Sequence, residues 1–368
     1  MEKISWWEVE STGYEEKYIK QCISSSYFNE GVLATQLEKS ICDEVNVDFA
    51  IVCSSGTAAL FLALKSVGVK AGDKVAVPST TFIATANAIK LAGAIPIFID
   101  CDPKTLTISH EDLKNAILEF NFRFLVLVHV SGRSAFNKEL NLLIKNNRLM
   151  VIEDAAEAFG SKDPTSGKFL GTIGDAGIFS FSPNKVITAG QGGAVVTNLK
   201  NVAENCIALK DQGRPKRGTG GADLHPLEGY NFKISDVNCA IALGQFVKLK
   251  ERLEHLKKIY SYYEKRLTNC LHQQLLFFDI NNGEVPLWPE VWSCEREATL
   301  IKFDLNKIGY REIWFPVNSQ PEFIGGRRTV NSEKISKHVF WVPSAFNLGE
   351  AQLDKIVSTL QCELCRKS

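Results

Sequence analysis

The chain has 368 residues, 45% of them hydrophobic and 23% charged, an ordinary globular composition with room for one large domain and a smaller companion. Its 42 basic residues match its 42 acidic ones, so no global field draws it to nucleic acid or to an anionic membrane. No apolar run approaches the roughly 20 residues of a membrane helix, and the acidic opening MEKISWWEVE lacks the basic and apolar regions of an export signal, which points to the cytoplasm.

From Phe49 onward, short apolar runs alternate with helical stretches. FAIVC reads as a strand and TAALFLALKSV as a helix ending before Gly68; KVAVP is a strand and TANAIKLA a helix stopped by Gly93. IPIFID, RFLVLVHV and LMVIED continue the strands, with EDLKNAILEF and KELNLLIKN as the helices between them. Apolar runs this short, separated by helices, indicate an α/β domain whose parallel sheet is buried on both faces. The strand-like GIFSF and the run AVVT flank a glycine-rich turn. A loop rich in Gly, Pro and basic residues, Asp211 to Gly229, leads into one long helical pattern from Ser235 to Leu267. The remainder is mixed α and β, closed by a helix from Glu350 to Leu364.

The ten cysteines are scattered, several inside apolar runs (Cys53, Cys101, Cys239), as expected of reduced thiols. Cys362 and Cys365 form a C-x-x-C with no second ligand pair, and no two of the six histidines stand at H-x-x-x-H spacing, so no metal site is expected.

Three segments end strands with chemically pointed residues, at the edge where open α/β sheets bind ligands. In CSSGTAAL a turn opens a helix whose free N–H groups suit a phosphate, with Ser55, Gly56 and Thr57 at the contact; alone, this is a plain helix cap. The triphosphate and dinucleotide glycine patterns are missing. In VIEDAAEAFGS, Asp154 follows an apolar strand, where a carboxylate can keep a ring nitrogen protonated. In the third, Lys185 follows Ser180 and precedes the glycines. A phosphate cradle, a carboxylate and a lysine 31 positions later (185 − 154) are what pyridoxal 5′-phosphate requires for its phosphate, its pyridine nitrogen and its aldehyde. Phe82, in PSTTFIATANAI, offers a face for the ring.

Together SSGTAAL, VPSTTFIATANAI, FIDCDPKTLTI, IEDAAEAFGS, GTIGDAGIFSF, the Lys185 stretch and GYNFKISDVNCAIALGQ resemble the DegT/StrS-type nucleotide-sugar aminotransferases, from about Gly13 to Leu360. The resemblance implies the aspartate-aminotransferase-like fold type I: a large, mostly parallel mixed sheet sandwiched by helices over residues 1–245, plus a smaller C-terminal α/β domain over residues 246–368. It implies that Lys185 carries the cofactor covalently and then moves protons, that Asp154 pairs with the ring nitrogen, and that Glu157 lies near the 3-hydroxyl. It implies that Phe82 covers the ring, that Gly56, Thr57 and Ser180 hold the phosphate, and that Asn231 reaches that phosphate from the other subunit of a homodimer.

The implied reaction takes an amino group from L-glutamate to a nucleotide-linked keto-sugar. WFPVNSQPEF and FWVPSAFNLGEAQLDKI resemble the perosamine-synthase branch, which implies a 4-keto-6-deoxy sugar; amination at C3, or a non-catalytic regulatory protein on the same fold, are the alternatives. Three departures from the family pattern concern substrate-facing loops: Lys233 where GYN-x-R has arginine, Gln191 where Glu often precedes the glycines, and VSGRSAFN after His129. Arg214, Lys216, Arg217, Arg327 and Arg328 are the loop cations available to a diphosphate.

Overall fold

The computed structural model describes residues 3–215, 224–267 and 272–361. After an extended N-terminal segment come α1 (Glu15–Ser25) and α2 (Val32–Val45). The alternation read from sequence then follows as β1 (Phe49–Cys53), α3 (Gly56–Ser66), β2 (Lys74–Pro78), α4 (Ile83–Leu91), β3 (Ile95–Ile99), α5 (His110–Phe120), β4 (Phe124–Val128), α6 (Lys138–Asn147) and β5 (Met150–Asp154). Two more strands, β6 (Ala176–Ser180) and β7 (Gly193–Thr197), precede α7 (Lys200–Lys210).

These strands form a seven-stranded sheet in the order β1-β7-β6-β5-β4-β2-β3. Neighbours from β3 through β6 are parallel, while β7 runs antiparallel to both β1 and β6. Both faces are covered, which is why the strands read as unbroken apolar runs. In β4, Leu125 and Leu127 pack with Leu113, Ala116 and Leu140 of α5 and α6. Phe124, Val126 and Val128 face the opposite way, into the core shared with α3 and α4. The same pleat splits Ala76 from Val75 and Val77 in β2.

Parallel direction brings the carboxyl ends of the strands together: Val128 pairs with Asp154, and Asp154 with Ile178. Because β7 is reversed, its first residue lands at that same edge, with Gly193 opposite both Cys53 and Ser180. The connection from β6 to β7, which carries Lys185, therefore hangs over the start of α3.

The helix predicted over Ser235–Leu267 is two, α8 (Asp236–Phe246) and α9 (Leu249–Leu267). The Lys248 N–H closes back on the Gln245 carbonyl at 3.1 Å, and the Gln245 amide is drawn to the Glu10 carbonyl at 2.9 Å and to the Glu15 carboxylate. Those contacts to the N-terminal segment, invisible in local periodicity, turn the chain. α8 packs on α1 and α2, while α9 leads to β8 (Gln273–Leu275), β9 (Glu290–Ser293), α10 (Arg296–Leu305), β10 (Arg311–Glu312), α11 (Val330–His338), β11 (Val339–Trp341) and α12 (Glu350–Leu360). These strands make an antiparallel sheet in the order β10-β11-β9-β8. Its core joins Ile259 and Tyr263 of α9 to Phe303, Phe340 and Ile356, and also to Ile4 from the N-terminus. Cys362 and Cys365 lie outside the described residues, and no helix among the described residues is long and apolar enough to cross a membrane.

Arg133, 2% exposed in the loop after β4, ties the two sheets. Its guanidinium donates to the carbonyls of Thr105 and Phe277 and to Glu290 Oε2 on β9, each at 2.9 Å, and lies 3.8 Å from the Phe278 ring centroid. Glu290 is fully buried, so losing the arginine strands a charge. Arg133→Met should cost about 3–5 kcal/mol, while adding Glu290→Met should recover much of that loss. Urea midpoints of the two variants check this; a double variant no more stable than Arg133→Met contradicts it.

Candidate active site

At the carboxyl edge of the large sheet lies a cavity of ≈ 340 Å³, within the usual range for small-molecule sites. One wall is the start of α3. Ser55 caps this helix, its hydroxyl oxygen accepting the Ala58 N–H at 3.1 Å. The next N–H groups, of Gly56 and Thr57, have no acceptor within the helix. Close packing sets this cradle: a Cβ on Gly56 would meet the Ser180 Cβ at 2.9 Å, and one on Gly193 would meet the Ser55 carbonyl oxygen at 2.6 Å. Only glycine lets the helix start approach the ends of β6 and β7 this closely.

Asp154, the last residue of β5, forms the floor. Thr85 Oγ1 donates to its Oδ2 at 2.8 Å, and the Ala156 N–H reaches Oδ1 at 3.2 Å. Burial pushes its carboxyl above the usual range, against the pull of Thr85, Ala156, Lys185 and His129. Glu157 is raised by the same desolvation; its Oε2 accepts the Ser131 N–H at 3.0 Å and its Oε1 faces Lys185 Nζ at 3.3 Å. That ammonium also stands 4.6 Å from the Trp288 ring centroid. Strand alternation sends Glu153 the other way, where it accepts from Gly171, Ile173 and Gly174 N–H groups and meets His129 Nε2 at 2.9 Å. His129 Nδ1 takes the Ala135 N–H at 3.1 Å, so its proton is on Nε2 and the ring is occupied in the fold.

The lysine hairpin is pinned from several sides. Thr188 Oγ1 and the Ala189 N–H bond to the Phe181 carbonyl at 3.2 and 2.9 Å. The buried Arg252 guanidinium donates to the Val186 carbonyl at 3.1 Å, and Trp7 Nε1 to that of Pro183 at 3.1 Å.

The structure brings Ser55, Gly56, Thr57, Phe82, Asp154, Glu157, Ser180 and Lys185 to this one cavity. Phe82 holds the N-terminal position of α4 and is 50% exposed, its ring free to lie over a ligand. Asn231 does not line the cavity; it is exposed and bridges Asp211. Lys233 pairs with Asp211, which also takes Arg214 at 2.6 Å, so both cations are engaged in that loop. Arg327 is clamped two-pronged on Asp112 and Arg328 lies 3.5 Å from Glu333; neither lines the cavity. Lys216 and Arg217 lie outside the described residues. The VSGRSAFN loop does not line the cavity either: its Ser131 accepts the Trp341 Nε1–H at 2.9 Å and holds Glu157, a packing role.

Sequence reasoning missed Thr85, Trp288, Arg311 and Trp314, all at the cavity. Thr85 carried a signal, since it lies in the same post-strand segment as Phe82. The others come from the small sheet and its connections, and no local pattern announces them.

Pyridoxal 5′-phosphate fits these residues: an anion cradle with unused N–H groups, a buried carboxylate in want of a cation, and a lysine amine between them.

The chain matches the DegT/DnrJ/EryC1/StrS aminotransferase family over residues 10–361. It is 33% identical to a GDP-perosamine synthase of Escherichia coli O157:H7 over 351 residues, 95% of this chain and 92% of that one. It is 29% identical to a GDP-perosamine synthase of Caulobacter vibrioides over 360 residues, 95% of each. The crystal structure of AtS13 from Actinomadura melliaura has the same fold, with a TM-score of 0.92 and 23% identity over 98% of this chain and 99% of that one.

With its folded pKa raised, the Asp154 carboxyl favours the cofactor-free fold fully below the ordinary carboxylate range and loses that contribution as pH rises through the raised value. Asp154→Asn removes the ionisation. The cofactor-free variant should melt about 1–4 °C above wild type at about pH 8, with the gap narrowing toward about pH 5. Calorimetry across that range checks it; a gap that ignores pH refutes the buried-charge account.

Proposed function

The chain belongs to the DegT/DnrJ/EryC1/StrS aminotransferase family, and from its cavity we propose that it moves an amino group from L-glutamate to C4 of a nucleotide-linked 4-keto-6-deoxy sugar, giving a perosamine-like 4-amino-4,6-dideoxy sugar. One observation carries the reading: an unused helix terminus, a buried carboxylate and a lysine amine meet at a single cavity of a chain 33% identical to a GDP-perosamine synthase. The cofactor of the family's aminotransferases is pyridoxal 5′-phosphate.

In this reading the Gly56 and Thr57 N–H groups, with the Ser55, Thr57 and Ser180 hydroxyls, bind the phosphate in the field of the α3 dipole. Asp154, fixed by Thr85, holds a proton at the ring nitrogen, and the cation there offsets its own burial. Phe82 covers one face of the ring, and Glu157 orients its hydroxyl side. When bound, the cofactor supplies the electron sink that makes the substrate C–H bond labile. Lys185 anchors the aldehyde and then carries the proton between carbons at its Nζ, beside the Glu157 carboxylate. The indoles of Trp288 and Trp314 line the same cavity, Trp288 against the Lys185 amine.

The active unit is read as a cytoplasmic homodimer, with residues 1–245 as the cofactor domain and 246–368 as the smaller one. Every cysteine among the described residues is free, as suits a reducing compartment. Asn231 is exposed, lies outside its own cavity and bridges Asp211, which with Tyr27 and Val32 rims a hollow of ≈ 690 Å³. Val32 and Phe28 beside it are 80% and 53% exposed, a surface suited to a second copy reached by Asn231.

Lys185→Ala and Asn231→Ala should each be inactive alone. Mixed, they should recover about a quarter of the wild-type rate, since half the dimers are hybrid and each hybrid keeps one of two composite sites. Mixtures that stay inactive while exchanging subunits rule out the shared site.

The substrate assignment is tested by giving the holoenzyme glutamate and a panel of GDP-, UDP- and dTDP-linked 4-keto-6-deoxy sugars. NMR should find the new nitrogen on C4. Nitrogen on C3, or no turnover of any nucleotide sugar, overturns it.

A further inference from the structure

Among the described residues three lysines or arginines are deeply buried: Arg133, Lys210 and Arg252. Arg133 meets the buried Glu290 and Lys210 the buried Glu30, so each of those charges is balanced in the interior. Arg252, on α9, is 3% exposed and has no such match. Its ion-pair partner among the described residues is the half-exposed Glu10, 3.7 Å away. Burying a guanidinium is unfavourable. Its packing face, 4.7 Å from the Phe346 ring centroid, could be supplied by an apolar side chain.

An apolar side chain could not supply the fork of donors. Nη1 donates to the Val186 carbonyl at 3.1 Å and to the side-chain carbonyl of Gln245, while Nη2 donates to the Glu10 carbonyl at 2.8 Å. The Gln245 amide donates to that same Glu10 carbonyl at 2.9 Å. The end of α8 and the N-terminal segment thus lock the plane of the guanidinium, and its remaining bond falls on the residue directly after Lys185. Two residues before Lys185, the Pro183 carbonyl accepts the Trp7 Nε1–H at 3.1 Å. From α9, Leu253 and Leu256 close on Val186 and the lysine, leaving a void of ≈ 10 Å³.

We propose that Arg252 is a positioning residue for Lys185, fixing the backbone from which the lysine reaches. The inference rests on the reading of Lys185 as the cofactor's anchor and proton carrier. A lysine bears its amine on a flexible four-carbon stem. The far end of this stem is oriented by Glu157, 3.3 Å from Nζ. Its near end depends on the connection between β6 and β7, and a shift of about 1 Å there is passed to the amine, where it can cost about a hundredfold in rate. Arg252 does not line the cavity, so the phosphate cradle and the Asp154 floor stand without it.

The test uses Arg252→Met, which keeps the contact with Phe346 and removes the donors, and Arg252→Lys, which restores one of them. Pyridoxine 5′-phosphate has the phosphate and the ring but no aldehyde. Its affinity for the apoenzyme, read from indole fluorescence, should stay within about threefold of wild type in Arg252→Met. Capture of pyridoxal 5′-phosphate joins the neutral Lys185 amine to the aldehyde carbon with release of one water. Read from growth of the visible band, that step should slow by about tenfold or more. The glutamate half-reaction should lose kcat by about tenfold to a hundredfold, with KM within about threefold. Arg252→Lys should fall between Arg252→Met and wild type in both rates. Capture and kcat within about threefold of wild type in Arg252→Met overturn the proposal. So does an affinity for pyridoxine 5′-phosphate that falls as far as the capture rate, the mark of a disrupted cavity rather than a misplaced lysine. If Arg252→Met loses its fold by far-UV circular dichroism, Arg252→Lys carries the comparison, with capture at the wild-type rate overturning it. A wild type that captures the cofactor yet aminates no nucleotide sugar refutes the sugar assignment alone, since the capture arm still judges Arg252.

Discussion

The burial of Asp154 is the constraint around which the rest of the site is arranged. A carboxylate at the end of a central strand, closed off from water, is unfavourable unless something positive comes to it. Within the chain its support is modest: one threonine hydroxyl and one backbone N–H. Lys185 is aimed at Glu157 rather than at Asp154. The fold therefore keeps a desolvated acid beside a cavity without neutralising it, which is how a protein reserves binding energy for a cationic ring.

Topology does the positioning. Were β7 parallel to β6, the connection between them would need a crossover, and the lysine would be carried over a face of the sheet. Reversal of that one strand makes the connection a compact loop at the carboxyl edge, against the first turn of α3. Two glycines, Gly56 and Gly193, permit the contact, and Arg252 and Trp7 hold the loop from the side of α9 and the N-terminal segment.

Much of this was legible in the sequence. The strands announce themselves because a sheet covered on both faces needs apolar residues at consecutive positions. The gathering of Asp154 and Lys185 at one edge was legible because Asp154 closes one strand and Lys185 lies in the connection after another, and strand ends are where chemistry collects in such sheets. What was not legible depends on contacts distant in sequence. The break at Val247–Lys248 is made by bonds to Glu10 and Glu15. The basic loops drew attention as diphosphate ligands, yet Arg327 and Arg214 are spent on Asp112 and Asp211. Arg311 drew none, although it lines the cavity, because nothing around it in RE resembles a motif.

This division has a physical reason. The cofactor-facing half of the cavity is built by strand ends and a helix start, whose sequence signatures are local and short. The opposite half is built by Trp6, Trp288, Arg311, Trp314 and Trp341, residues that meet only after the small sheet and the N-terminal segment close on the large one. Arg133, braced on Glu290, couples that closure to the loop that holds Glu157. A change in the small sheet is thus felt at the lysine through the indoles and through Ser131. The first half can stay constant, because every reaction of the cofactor makes the same demands there, while the aromatic half can change its cations and its shape, and so its substrates, without disturbing the proton transfer at Lys185.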